Sequence, residues 1–151
     1  MFDQKIVVSE MLDVLLLAYK QQTSTMFLGA SGVGKSATIE TFANTIAPNQ
    51  PNNLIDIRLC MKSIEQVGGV LMPKELPNGQ FVLQTALPEE YECLFDPNYK
   101  GVLLFDEFPS AMPSIQNVAY QVTWDRVLGG RKLSEGVAVC LAGNLHTNGG
   151  K

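Results

Sequence analysis

At 151 residues and 16.5 kDa, with 46% apolar and 17% charged residues, the chain is one domain's worth of ordinary globular sequence, long enough to bury a sizeable core. A net charge of −4 and a pI near 4.9 give no sign of the basic stripe of a nucleic-acid binder, and the longest unbroken apolar run, residues 14–19, is far too short to span a bilayer. The three cysteines are odd in number and lack C-x-x-C spacing; Cys60 and Cys140 sit at the ends of apolar runs and read as buried free thiols. With no signal-peptide pattern, this points to a reducing, cytoplasmic setting.

Residues 9–21 read as a packing helix, with Ser9 as N-cap and Met11, Leu12, Leu15, Leu16 and Tyr19 on one broad apolar face. A strand at 25–28 follows. It leads into Gly29-Ala30-Ser31-Gly32-Val33-Gly34-Lys35-Ser36, which fits G-x-x-x-x-G-K-[ST] at every fixed position, and then into a helix over 36–47. The chemistry explains these residue types. A loop wrapping a chain of phosphates must point backbone N–H groups inward, and Gly29, Gly32 and Gly34 permit the angles and the close approach. The helix that starts near Lys35 and Ala37 adds its positive end to the same anion site. Lys35 would reach the β- and γ-phosphates, and the Ser36 hydroxyl would hold Mg²⁺.

A Pro/Asn loop at 48–53 precedes a strand over 54–60, then a short helix over 62–67 that stops at Gly68-Gly69. Apolar arms at 70–72 and 81–83 flank Pro77-Asn78-Gly79. Asn-Gly between apolar runs signals a hairpin, and Pro73 and Pro77 keep it out of a central sheet, so it reads as a projecting insert near 70–84. Residues 101–107 form a nearly continuous apolar run ending in Asp106 and Glu107, as a parallel strand buried on both faces requires. A helix over 114–127, a tight turn at Gly129-Gly130 and an apolar strand over 137–142 ending at Gly143-Asn144 complete the chain. Strands alternating with helices predict a doubly wound α/β fold with an open parallel sheet.

In such a sheet, ligands sit at the carboxyl ends of the strands. Lys35 and Ser36, Asp106 and Glu107, and Asn144 all follow strand ends and can meet one triphosphate. Asp106 is then expected to bind Mg²⁺, Glu107 to activate the attacking water as general base, and Asn144 to orient that water or report the γ-phosphate. A strand-end acid pair or an Asn beside a Gly also occurs as a plain solvated corner or turn.

With Gly29–Ser36 as Walker A, residues 102–107 as Walker B and Asn144 as sensor 1, the chain resembles an AAA+ ATPase. The stretch Phe105-Asp106-Glu107-Phe108-Pro109-Ser110-Ala111-Met112-Pro113-Ser114-Ile115-Gln116-Asn117 resembles the MoxR-like branch, which is related to dynein-type AAA modules. The hairpin at Asn78-Gly79 and the turn at Gly129-Gly130 fall where that branch places its helix-2 insert and pre-sensor-1 hairpin. The resemblance implies a three-layer P-loop NTPase core with strand order 5-1-4-3-2, ATP and Mg²⁺ as ligands, a homo-oligomeric ring and a protein client. The chain departs from the pattern in having room for four core strands but not for the fifth, the arginine finger or the lid. The core therefore reads as C-terminally incomplete, with an open edge on the first strand and weak hydrolysis alone. Arg126 and Arg131 read as surface or helix-end pairing residues rather than trans-acting fingers, and His146 is assigned no role. A nucleotide-gated module with little hydrolysis is the main alternative. A P-loop phosphotransferase is less favoured, because Glu107 directly after Asp106 suits water activation and no segment resembles a kinase acceptor lid.

Overall fold

The computed structural model describes residues 8–30 and 32–144. In chain order its elements are α1 (Val8–Lys20), β1 (Thr25–Gly29), α2 (Lys35–Ile46), β2 (Leu54–Arg58), α3 (Ile64–Gly68), β3 (Val70–Glu75), β4 (Phe81–Ala86), β5 (Gly101–Asp106), α4 (Pro113–Asp125), β6 (Val127–Leu128), β7 (Arg131–Lys132) and β8 (Val137–Asn144). Four strands make one parallel sheet in the order β1-β8-β5-β2. In terms of the four predicted core strands this is 1-4-3-2, the expected order without its fifth member.

The two central strands are the two all-apolar runs. Residues 101–105 of β5 and 137–143 of β8 are buried throughout, because each has a neighbouring strand on both sides and helices above and below. One layer packs Met11 and Leu15 of α1 and Ile39, Phe42 and Ala43 of α2 against Phe27, Val102, Leu104 and Cys140. The opposite layer packs Val67, Tyr91, Leu94 and the α4 residues Ile115, Ala119 and Val122 against Ile57, Leu103, Phe105, Val139 and Leu141. Alternate residues of each strand feed the two layers, as the pleat dictates. β1 and β2 lie at the margins among the described residues, and Met26 and Leu28 of β1 remain 43% and 46% exposed.

The first loop after β2 corrects two expectations. The strand predicted to reach residue 60 stops at Arg58, and a 3-10 turn follows at Leu59–Met61. Leu59 takes the interior place, fully buried, and the turn swings Cys60 and Met61 outward. Cys60 is consequently exposed rather than buried. Cys140 is buried as expected; burial pushes its thiol pKa up to about 11, and the Thr25 hydroxyl donates to its sulfur at 3.5 Å.

α3 begins at a capping box, in which the Ser63 hydroxyl accepts from the Gln66 N–H and the Gln66 side chain accepts from the Ser63 N–H. The predicted hairpin is present with longer arms. β3 and β4 pair antiparallel from Val70↔Ala86 to Glu75↔Phe81, and both strands are exposed along nearly their whole length. A 3-10 segment at Glu89–Phe95, which the sequence patterning did not signal, then returns Tyr91 and Leu94 to the core. The Tyr91 hydroxyl donates to the Gln66 carbonyl at 2.8 Å, and burial raises its pKa to about 12.

At Gly143, β8 lies against the segment after β5. A Cβ built there overlaps the Pro109 ring, whose position is locked by its own backbone. Overpacking of this kind costs roughly 1–3 kcal/mol. Gly143→Ala is therefore expected to lower the thermal midpoint by several degrees; a midpoint within one degree of the parent in a melting experiment would show that Pro109 yields freely.

Candidate functional site

The residues singled out at the carboxyl ends of the strands gather on three adjacent strands. Gly29 ends β1, Asn144 ends β8 opposite it in register, and Asp106 ends β5 on the far side of β8. The loop between β1 and α2 turns on two glycines in left-handed backbone, Gly32 at φ 81° and Gly34 at φ 91°. Ser31 lies outside the described residues, as does His146.

Gly34 is the N-cap of α2, and it brings no side chain to cap the helix. The first turn of α2 also carries no acidic residue. The N–H groups of this helix start, with the dipole behind them, form an anion-receptive end that no carboxylate of its own first turn neutralises. Ser36 and Ala37 are exposed there, and the Thr38 hydroxyl donates back to the Gly34 carbonyl at 2.9 Å. Next to this end, Ser9 and Leu12 of α1 and Ala37, Thr38 and Thr41 of α2 line an open groove of about 290 Å³. Nothing in the sequence patterning marked that groove, because it exists only where two helices meet.

Lys35 folds back over the loop. Its ammonium donates to the Gly29 carbonyl at 3.1 Å, the Ala30 carbonyl at 2.8 Å and the Asn144 Oδ1 at 3.3 Å. Three donors meet three acceptors, so the charge is held centrally above the strand ends by fixed dipoles. Lys35 and Asn144, both expected to face one triphosphate, are thus joined by a direct hydrogen bond. Val33, in the middle of the loop, is exposed.

On β5 the chain does something the sequence did not announce. Asp106 is the last strand residue, and Glu107 turns into left-handed backbone at φ 57°. A non-glycine residue there carries strain of ~1–3 kcal/mol, which the surroundings must offset. Part of the offset is local: Glu107 N–H donates to Asp106 Oδ1 at 2.8 Å. A 3-10 turn at Phe108–Ser110 follows, with the Gln116 amide donating to the Phe108 carbonyl at 3.0 Å and the Phe108 and Tyr120 rings edge-to-face at 5.0 Å. Residues 105–117 thereby anchor the sharp exit from β5 onto α4. Asn117, at its end, is exposed.

The two later arginines are committed within the chain. Arg126 caps the end of α4 and donates to the carbonyls of Ser134 at 2.9 Å and Val137 at 2.7 Å. Arg131 makes a two-pronged pair with Glu92 at 2.7 and 2.8 Å and stacks 4.1 Å over the Phe95 ring. Both pair within their own chain, as the sequence predicts.

No family model matches the chain, and no curated protein matches it in sequence. Solved structures do match it in fold. A crystal structure of NtrX from Brucella abortus superposes with a TM-score of 0.53 at 17% identity, over 95% of this chain and 31% of that one. A closed-state reconstruction of Hsp104 with ATPγS and casein superposes with a TM-score of 0.57 at 20% identity, over 92% of this chain and 26% of that one. The fold is that of a P-loop NTPase. It has three layers around an open parallel sheet, and the likeness to AAA+ proteins stands at the level of fold. The chain spans about a third or less of the length of these neighbours.

Two polar residues of β2 lie near the site without a sequence signal for it. Asp56 and Arg58 appeared only as polar positions alternating with the apolar residues of β2, yet Arg58 is the register partner of Asp106. Partial desolvation, then the charge of Asp106, raise the Asp56 pKa; Arg58 pulls it back, and Glu40 of α2 adds to the rise. The sign follows directly. A carboxyl whose folded pKa is raised weakens the fold as pH climbs through the window between its unfolded and folded values. Asp56→Asn is therefore expected to raise the thermal midpoint at neutral pH, with the gain vanishing below the ordinary aspartate pKa of 3.8. A gain that persists unchanged into acid would disprove the charge origin.

Proposed function

We propose that this chain binds ATP with Mg²⁺ and hydrolyses it, as the nucleotide-binding module of a MoxR-like, dynein-related AAA+ ATPase. The observation that carries this reading is the hydrogen bond between Lys35 and Asn144 beside an uncapped helix start, with Asp106 at the end of the adjacent strand β5 and Glu107 just past it. Three conditions for triphosphate chemistry coincide there: a backbone anion cradle, a central ammonium, and a carboxylate pair at the same edge.

In this reading residues 29–37 cradle the phosphates, and the groove beside Thr38 and Thr41 receives the base. The metal site fits Mg²⁺: the Ser36 hydroxyl and the Asp106 carboxylate are hard oxygen donors, and among the described residues no cluster of three His, Cys, Asp or Glu side chains forms a separate cage. Such sparse protein ligation suits an ion that shares its coordination with phosphate oxygens and supplies charge neutralisation there. Glu107 takes the proton of the attacking water, and its turned backbone fixes where that carboxylate starts from. Asn144 orients the water or senses the γ-phosphate, while Lys35 exchanges an internal acceptor for a phosphate oxygen.

The family resemblance extends the proposal to a homo-oligomeric ring acting on a protein client in the cytoplasm. The exposed β3–β4 hairpin, with Leu71, Phe81 and Leu83 more than 60% exposed, supports a protein-contacting role over a nucleic-acid one. The described residues include no helix long and apolar enough to cross a membrane. A second reading, binding with little hydrolysis, is favoured by one observation. Arg126 and Arg131 are both tied to carbonyls or a carboxylate of their own chain and are not free to complete a neighbour's site.

Two substitutions separate these readings. Lys35→Ala should abolish ATP binding in a calorimetric titration. Glu107→Gln should leave binding and the thermal midpoint unchanged, since the left-handed backbone and its bond to Asp106 are retained, while phosphate release falls by roughly 10²-fold or more. Parent hydrolysis per chain should rise with protein concentration if a ring completes the site. A parent protein that binds ATP tightly and releases no phosphate at any concentration would favour the second reading.

A further inference from the structure

We propose that Arg58 is a phosphate-binding residue of this site, reaching the terminal phosphate of a nucleoside triphosphate from the β2 side within the same chain. The inference rests on the nucleotide reading above and adds a residue that the P-loop pattern does not include.

Three observations converge on Arg58. The first is which face of the sheet it occupies. Leu54 packs with the α1/α2 layer, so Asp56 and Arg58, two and four residues on, point to that same side. Val102 and Leu104 belong to the same layer, which puts Asp106 there as well. Arg58 and Asp106 are register partners, so their side chains stand side by side on the face that α2 covers.

The second is height along the strands. Glu40 of α2 lies close enough to Asp56 for the two charges to oppose each other. α2 returns antiparallel to the strands, so Ser36, one turn earlier, stands about 6 Å nearer their carboxyl ends. Arg58, two residues past Asp56, stands about 6.6 Å nearer those same ends. Arg58, the last residue of β2 and level in register with Asp106, therefore stands at the strand-end side of the sheet, where α2 begins.

The third is availability. Of the described arginines, Arg126 and Arg131 are bound to carbonyls and to Glu92, whereas Arg58 makes no hydrogen bond or ion pair to any described residue. It is exposed, and among the described residues it pairs with neither Asp56 nor Asp106. Arg58 is thus not locked onto the neighbouring carboxylates as a neutralising partner. A planar, always-charged donor fork with nothing to hold, placed beside the strand-end acid, is suited to a phosphate oxygen.

The test compares triphosphate with diphosphate. Mg²⁺·ATP and Mg²⁺·ADP are titrated calorimetrically into the parent chain, Arg58→Ala, Arg58→Lys and Lys35→Ala, with a melting curve for each. A charge-assisted hydrogen bond to the γ-phosphate predicts that Arg58→Ala weakens ATP binding about tenfold or more and leaves ADP within about twofold. Arg58→Lys should recover part of the loss, because the charge is kept and the fork is not. Equal weakening of both nucleotides, or of neither, overturns the assignment. Arg58→Lys serves as the deciding variant should Arg58→Ala melt before titration: unaltered ATP-over-ADP preference in it likewise overturns the proposal. If the parent binds neither nucleotide, the underlying nucleotide reading falls first. Loss of both in Lys35→Ala with ATP-selective loss at Arg58 supports the two together.

Discussion

The parallel pairing of β8 between β1 and β5 is the constraint on which the rest depends. It aligns Gly29 with Asn144 in register and puts the end of β5 one strand further on. Each contact at the rim is a consequence. Lys35 can bridge the loop to Asn144 only because β8 runs one register step past Gly143, and Gly143 can lie against Pro109 only because it has no Cβ. Burial of β5 and β8 on both faces drives this arrangement; the polar rim contacts are then placed at little additional cost.

Charge is distributed with a consistent logic around that rim. The cradle side offers a helix start with neither a side-chain cap nor an acid in its first turn, and one ammonium whose donors are all satisfied by dipoles rather than by a carboxylate. The acids sit across the crevice on β5 and β2, with Arg58 among them. Away from the rim, Arg126 and Arg131 are used for structure, closing the end of α4 and clamping the β6–β7 turn to the Glu89–Phe95 segment.

Two apolar surfaces lie outside this economy. The β3–β4 ribbon carries Leu71, Pro73, Phe81 and Leu83 on one face, and Val70, Met72 and Val82 on the other, with neither face covered. A lone two-stranded ribbon is marginal in water, and its base is held by Gly69, where a Cβ would run into Thr85 and the Ala86 carbonyl. Elsewhere, Met26 and Leu28 on β1 and Tyr120 and Trp124 on α4 leave apolar area exposed, Trp124 at 81%, and β1 has no second strand neighbour among the described residues. Both are the kinds of surface that monomeric proteins seldom display without using them.

Local pattern carried a great deal. The glycine spacing of residues 29–36 and the all-apolar runs of β5 and β8 determined the loop, the central strands and the parallel class of the sheet, because each reflects a short-range demand: backbone angles in one case, two-sided burial in the other. The Asn-Gly turn likewise announced its hairpin. What the sequence by itself could not determine was anything that depends on two distant segments meeting. The exit of β2 into an inward Leu59 and an outward Cys60 was decided by which side chain the core accepted. The left-handed turn at Glu107, the groove between α1 and α2, the partners that Arg126 and Arg131 take, and the register that sets Arg58 beside Asp106 were decided by register and packing across tens of residues. Such contacts leave no local periodicity behind, so only the tertiary structure could place them.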